Sequence, residues 1–441
     1  MIKQSDSKSL FVMCDYSGWS WGMGLEFINH ELKNGRNYEV LDLSFVGELN
    51  LKMVIKLFLG GFKMRRDALK YFKLNRIKLI NHNFRRIIVN DEHIKHYPLE
   101  ISPAINSIVE KSETIDLELI QKSKKGLKIV RNEIKKSNLI YALISSINLT
   151  DYSKIITVNG RFTKSATVIR FCKEKSISYG LLEGGGKISS FQLFEISPHS
   201  TKEVQDKIDD LWSKASEPNR SKIAAEYINN LIIYPESGRF NYRSNMVIDK
   251  IPDLSRKKLC VFYASTEWEY FGLYEDLAED CFRNQTEAFK ALLKCLDPNI
   301  WDVYLRRHPL SSKSKGHDGE NVIWEEFVGK SNIHVIAPNS DVDSLALGRK
   351  ADLIASFASS INVEFLTREF QNVITLGPAP WNHLIPERFL PTEEKIKEFV
   401  NSHPDPISSE KLFPWAYYQC ESGIQFELVT TDEKSGIWKI K

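Results

Sequence analysis

Short apolar runs bounded by turn residues alternate, through most of this 441-residue chain, with segments whose apolar residues recur near i, i+3 and i+4. A chain patterned this way has few folds open to it. Parallel strands need long crossovers, the crossovers are helices, and helices on both faces leave the strands buried and apolar throughout. The pattern therefore predicts an α/β fold. In the first half it places strands at Leu10–Cys14, Tyr38–Leu43, Lys154–Val158 and Ser178–Leu182. Helices are expected at Met23–Leu32, Leu51–Phe72, Leu127–Ile144 and Lys164–Lys175. The second half repeats the pattern, with strands at Leu259–Tyr263, Asp302–Arg306, Ile333–Ile336, Leu353–Ala355 and Val373–Leu376. Its helices fall at about Arg283–Leu296, Asp341–Gly348 and Ile361–Thr367.

A polar, turn-rich stretch from Tyr234 to Asp253 separates the halves. Residues 1–240 are thus expected to form one α/β domain and 257–400 a second, with the aromatic-rich 401–441 closing over one of them. Ligands in such sheets sit at the carboxyl ends of the strands. Composition narrows the class further: 60 Lys and Arg against 57 Asp and Glu, and a mean hydropathy of −0.30, exclude disordered and fibrous chains. A net charge of +3 does not call for a nucleic-acid partner. Six scattered cysteines with no CxxC pair fit a reducing cytoplasm and no metal site. No run approaches the ~18 apolar residues of a membrane span. The apolar start, closed by Asp15, reads as a buried strand rather than a signal peptide.

Five strand ends carry candidate chemistry. In Tyr304-Leu305-Arg306-Arg307-His308-Pro309 a strand runs into a basic pair and a histidine and stops at proline. Arg307 there would hold a phosphate and His308 would protonate a leaving phosphate oxygen; a strand-ending turn with a solvated basic rim explains the same residues. In Ser356-Phe357-Ala358-Ser359-Ser360-Ile361-Asn362-Val363-Glu364, Ser359 and Ser360 fall at a helix start, where N-cap hydroxyls and free N–H groups receive an anion. Glu364, one turn on, is placed to accept from ribose hydroxyls. Taken with Arg307-His308-Pro309, this favours a nucleotide site over ordinary capping. The third end, Leu182-Glu183-Gly184-Gly185-Gly186-Lys187, has neither GxxxxGK[ST] nor GxGxxG spacing, so Glu183 is read as a general base and the glycines as a loop that admits a ligand. The fourth, Asp15-Tyr16-Ser17-Gly18-Trp19-Ser20-Trp21, offers Asp15, Trp19 and Trp21 either to a sugar acceptor or to a hydrophobic plug. Asn159-Gly160-Arg161 is a similar strand-end turn with a cation for an anionic ligand.

From Leu51 to Asn90 eleven cations face the single acid Asp67, interleaved with Val54, Ile55, Leu57, Phe58, Leu59, Phe62 and Met64. That mixture suits a helix lying on an anionic membrane and equally a solvated basic face. No RNA-binding motif accompanies it.

The second half resembles the cytoplasmic GT-B glycosyltransferases of bacterial capsule and lipopolysaccharide synthesis, among them capsule-type Kdo transferases and bacterial sialyltransferases. The resemblance rests on the order Val261 to Glu267, Phe282-Arg283-Asn284-Gln285 with Ala288, Arg307-His308-Pro309, Asp343-Ser344, Ala351-Asp352 and Ser359-Ser360 with Glu364. It implies two Rossmann-like domains facing a cleft, and a CMP-sugar, CMP-Kdo or a related ulosonate, as donor. His308, Pro309, Ser359 and Ser360 would hold its phosphate, with Ser265 beside them, and Glu183 would act as base toward a glycan or glycolipid acceptor. The family's acid-acid-glycine motif stands here as Leu182-Glu183-Gly184, with one acid. No cofactor or metal is expected, no nucleic acid, and a position in the cytoplasm, peripheral to the inner membrane. A UDP- or GDP-hexose transferase or sugar-nucleotide epimerase of the same shape is the rival enzyme; a scaffold binding anionic polymer or membrane is the rival of another class.

Overall fold

In the computed structural model the described residues are 8–15, 17–44, 46, 61–80, 102–112, 117–147, 149, 152–187, 189–233, 246–266, 281–312, 323–368, 370–402, 404–431 and 438–441. The expected residues 51–60, 81–90, 234–245 and Glu267 lie outside them. The chain divides into two units: residues 1–108, 121–198 and 421–441, and residues 109–120 and 199–420.

The first unit opens β1 (Lys8–Met13), α1 (Gly18–Lys33), β2 (Tyr38–Asp42), α2 (Gly61–Leu74), β3 (Lys78–Ile80) and α3 (Lys124–Ser145). It continues through β4 (Tyr152–Val158), α4 (Thr163–Glu174), β5 (Tyr179–Gly184) and β6 (Ser190–Phe194). Strands β3-β2-β1-β4-β5 are parallel, and β6 joins β5 antiparallel. Alternation along β1 shows why both faces must be covered. Phe11 and Met13 enter one core with Trp21, Phe27 and Phe72 of α1 and α2, while Leu10 and Val12 enter another with Ile140, Leu143, Val168 and Phe171 of α3 and α4. Ser17 and Ser123 cap α1 and α3, their hydroxyls accepting from Ser20 N (3.1 Å) and Gly126 N (2.9 Å).

The second unit begins with α5 (Thr201–Lys214) and α6 (Asn219–Ile233), then β7 (Lys258–Tyr263), α7 (Gln285–Cys295), β8 (Trp301–Arg306), β9 (Ile333–Ile336) and α8 (Ser344–Gly348). It ends with β10 (Leu353–Ser356), α9 (Ile361–Leu366), β11 (Val373–Thr375), α10 (Glu393–Val400) and α11 (Phe413–Glu421). Its five strands are all parallel, in the order β11-β10-β7-β8-β9. Counted within its own unit, each sheet therefore runs 3-2-1-4-5, the doubly wound order, and the expected Rossmann-like fold class is present twice.

The boundaries differ from expectation. Residues 1–240 are expected to form the first domain, yet α5 and α6 belong to the second unit. Trp212 meets Tyr417 edge-on at 5.7 Å, Tyr227 meets Trp415 at 5.9 Å, and Arg368 donates to the Leu231 carbonyl at 2.8 Å. Nor does 401–441 act as one segment. After α11 the chain returns to the first unit, where β12 (Ile424–Gln425) pairs with β6 and the hairpin β13 (Val429–Thr431) and β14 (Trp438–Ile440) packs on α1. Buried Glu26 of α1 fastens it, its Oε1 accepting from Leu428 N (2.5 Å) and Val429 N.

Candidate functional site

The switch point of the second sheet lies between β7 and β10, and there the carboxyl ends of β7, β8 and β10 surround a cleft of about 120 Å³. Tyr263 and Ala264 come from β7 and its loop, Arg306 from the end of β8 with Arg307, His308 and Pro309 directly after it, and Ser359, Ser360, Ile361 and Glu364 from the turn after β10 and α9; Met246 and Ser344 complete the wall. The structure thus brings together in one cleft the Arg307-His308-Pro309 and Ser359-Ser360-Glu364 groups, 52 residues apart from Arg307 to Ser359 in sequence. Ser360 occupies the N-cap of α9 but makes no side-chain cap bond. Ser359 N donates to Ser356 Oγ at 3.1 Å, which fixes the turn. Glu364 faces Arg368 Nη1 at 3.8 Å.

Ser265 sits just outside this wall. Gln285, fully buried at the start of α7, grips its backbone from both sides: Gln285 Oε1 accepts from Ser265 N (2.9 Å) and Nε2 donates to Ser265 O (3.0 Å). The Ser265 hydroxyl is buried with no hydrogen-bond partner. Gln285 thus holds the β7 loop in place.

Arg306, next to the expected phosphate ligand Arg307, is the more deeply buried of the pair. Every residue of β8 is buried, and Arg306 is 2% exposed at its end. Arg306 Nε donates to Ser344 Oγ (3.1 Å) and Nη1 to the Ala337 carbonyl (2.5 Å), while Nη2 is buried without a partner. Burial lowers the guanidinium to about 10, opposed only by the nearby Tyr263. The signal was present in the sequence as a cation inside a run that otherwise reads as fully buried strand.

In the first unit the ends of β4 and β5 bring Asn159, Arg161 and Glu183 together. Asn159 has φ 64° and its amide donates to Glu183 Oε2 at 2.7 Å; Gly184 N donates to Glu183 Oε1 at 3.0 Å. Asn159 Oδ1 in turn accepts from Arg161 N (3.1 Å) and Nε (3.3 Å). The remaining expectations meet local explanations. Asp15 is taken up in capping α1, accepting from the hydroxyls of Ser17 and Ser20 at 2.7 Å each. Trp21 is wholly buried in the core and is the hydrophobic plug, which removes it from any acceptor face; Trp19 packs half-buried beside that core. The glycines after Glu183 admit the chain's own tail rather than a ligand. Gly186 N donates to Ser422 Oγ (2.9 Å), and a Cβ on Gly185 would stand 2.7 Å from the Ser422 carbonyl.

The described part of the basic run is α2 and β3. Arg65, Arg66, Lys70, Lys73 and Arg76 with Leu69, Ile77 and Leu79 line an open groove of about 510 Å³. Arg65 is also bound to Asp42 (2.6 Å and 2.9 Å), so part of this charge is structural. Among the described residues no helix is long and apolar enough to cross a membrane, and no group of acids, histidines and cysteines is set to hold a metal.

No family model matches this chain, and no curated protein matches it in sequence. Among solved structures it is similar to UDP-GlcNAc 2-epimerase from Neisseria meningitidis bound to UDP-GlcNAc, at 12% identity over 93% of this chain and 97% of that one, with a TM-score of 0.31. It is also similar to the Methanocaldococcus jannaschii UDP-GlcNAc 2-epimerase in complex with UDP-GlcNAc and UDP (11%, 92% and 97%, TM-score 0.30). A glycosyltransferase from Rickettsia africae gives 13% identity, 94% and 93% coverage and a TM-score of 0.27. Likeness at this level carries no inference about ligand or activity.

Proposed function

We propose that this chain is a nucleotide-sugar-dependent glycosyltransferase of the GT-B class whose donor seat is the cleft of the second unit. One observation carries the reading: cations, hydroxyls and a single carboxylate converge at the switch point of a doubly wound sheet, where ligands of such sheets bind. The cleft is far smaller than the ~300–1,000 Å³ of pockets that engulf a whole organic ligand. Its enclosed part suits a phosphate, with sugar and base extending outward.

In this reading His308 and Arg307 stabilise the departing phosphate, Ser359 and Ser360 hydrogen-bond to it, and Glu364 accepts from the ribose. Glu183 takes the acceptor's proton; Asn159 orients it, and Arg161 and Trp19 remain for the acceptor. The donor we favour is CMP-Kdo or a related ulosonate and the acceptor a surface glycan or its lipid-linked precursor, following the family resemblance of the motifs. The basic groove along α2 supports peripheral contact with an anionic membrane.

Calorimetric titration of CMP, UDP and GDP into wild type and His308→Ala tests the donor seat. CMP should bind wild type, and the variant should bind at least ~10-fold more weakly. Preference for UDP or GDP would remove the CMP assignment, and absence of all nucleotide binding would remove the transferase reading. Incubating donor without acceptor separates transfer from epimerisation: a transferase leaves the sugar configuration unchanged.

A further inference from the structure

Arg306 presents an incomplete arrangement. A guanidinium carries five N–H donors in a rigid fork, and here two directions are fixed by Ser344 Oγ and the Ala337 carbonyl while Nη2 points to no acceptor. The side chain is 2% exposed, and among the described residues no carboxylate lies within ion-pair distance of it. A buried cation normally has a counter-charge, because removing an unpaired ion from water costs several kcal/mol. Its neighbours do not supply one. Ser344 and Ala337 are neutral, Tyr263 hydrogen-bonds through its OH to the Ser344 carbonyl (2.5 Å), and the nearest cleft acid, Glu364, is set against Arg368. Ser344 is itself held in place, since Asp343 caps α8 by accepting from Leu345 N (2.9 Å) and Ala346 N (3.1 Å). The fork is thus clamped from behind, and Arg306 forms part of the cleft wall.

We propose that the missing counter-charge is a ligand's phosphate group and that Arg306, through Nη2, is its buried anchor in this cleft, with Arg307 and His308 nearer solvent. The identity of that group as a donor's phosphate rests on the function proposed above; the need for an anion does not. A clamped fork loses little freedom on binding, so it selects a phosphate by direction as well as by charge. Lysine, with one flexible ammonium, would keep the charge and lose the direction.

The test is calorimetry and thermal unfolding of wild type, Arg306→Lys and Arg306→Met with two probes, CMP and inorganic pyrophosphate. Wild type should bind pyrophosphate. Arg306→Met should melt at or above the wild-type temperature without ligand, because an uncompensated charge has been replaced by an apolar chain of similar length. It should nevertheless bind either probe ~10- to 100-fold more weakly, the worth of a charge-assisted hydrogen bond. Arg306→Lys should keep the fold and fall between the two. Loss of pyrophosphate binding in Arg306→Met, with no nucleotide bound by any form, would uphold the anion anchor and defeat the donor assignment. Equal binding of CMP by wild type and both variants would overturn the anchor and leave the donor assignment standing. A free Arg306→Met that unfolds well below wild type would also overturn it, by showing that the guanidinium is already satisfied.

Discussion

Asn159 holds a backbone conformation that costs most side chains energy, φ 64°, and spends its amide on Glu183. Replacing it with alanine would strain the turn and free the carboxylate. Asn159→Ala should lower stability by about 1–2 kcal/mol in urea unfolding, and, if Glu183 is the base, depress turnover more than donor affinity. Glu183→Gln in the same assay should lower turnover by roughly 10²–10⁴ with donor binding little changed. Glu26 offers a pH signature. Burial, the largest influence, raises its carboxyl above the ordinary range despite the tail amides that favour the anion. The folded value exceeds the unfolded one, so its stabilising contribution is complete below the unfolded pKa near ~4.3 and is lost as pH rises through the folded value. Glu26→Gln keeps an acceptor for both amides and does not titrate; its stability relative to wild type should therefore increase from acid to neutral pH in parallel denaturation curves. These residues also show what a sequence can disclose. The HP and serine-pair positions were legible because their spacing puts them at strand ends, whereas Arg306 looked like one more basic rim residue. Its place inside the apolar run of β8, and not the charge it shares with Arg307, is what marks it as buried.

At the level of elements, the strands were legible nearly to the residue, since an apolar run long enough to be buried on both faces has few other uses. The short strands β3, β6 and β12 toward the sheet's two margins were not, because pairing there depends on partners remote in sequence. α8 shows how much an unremarkable element can decide. Gly348 has no room for a side chain: a Cβ there would stand 2.1 Å from Phe365 Cζ and 2.6 Å from Tyr263 Oη. Gly348→Ala should cost roughly 1–3 kcal/mol and weaken phosphate binding at a distance, since Tyr263 bonds the carbonyl of Ser344 and Ser344 Oγ receives Arg306; calorimetry on the folded variant would show it. The tail hairpin is seated similarly. Trp438 lies over Gly22, whose added Cβ would come within 2.8 Å of the indole, so Gly22→Leu should unseat the hairpin and speed proteolysis near it.

For the molecule as a whole, two sheets share one strand order without a detectable sequence repeat, because topology is set by where apolar runs and crossovers fall and not by which apolar residue fills them. The chain's path was harder to foresee. α5 and α6 are amphipathic and would cover either sheet; their contacts with Tyr417, Trp415 and Arg368 assign them to the second. Deleting residues 421–441 should accordingly lower the melting transition of the first unit alone, leaving that of the second in place, as differential scanning calorimetry would resolve.

The return of residues 421–441 to the first unit also sets a timetable for synthesis. At ~5–20 residues per second on the ribosome, an uninterrupted domain can fold as soon as it emerges. Here the first unit is made first and finished last: its sheet waits, edge unpaired and α1 uncovered, until the whole second unit has been translated. The nascent first unit must therefore spend tens of seconds on the order of an incomplete fold, a window in which chaperone binding would be greatest and which a circular permutant beginning at residue 421 would close.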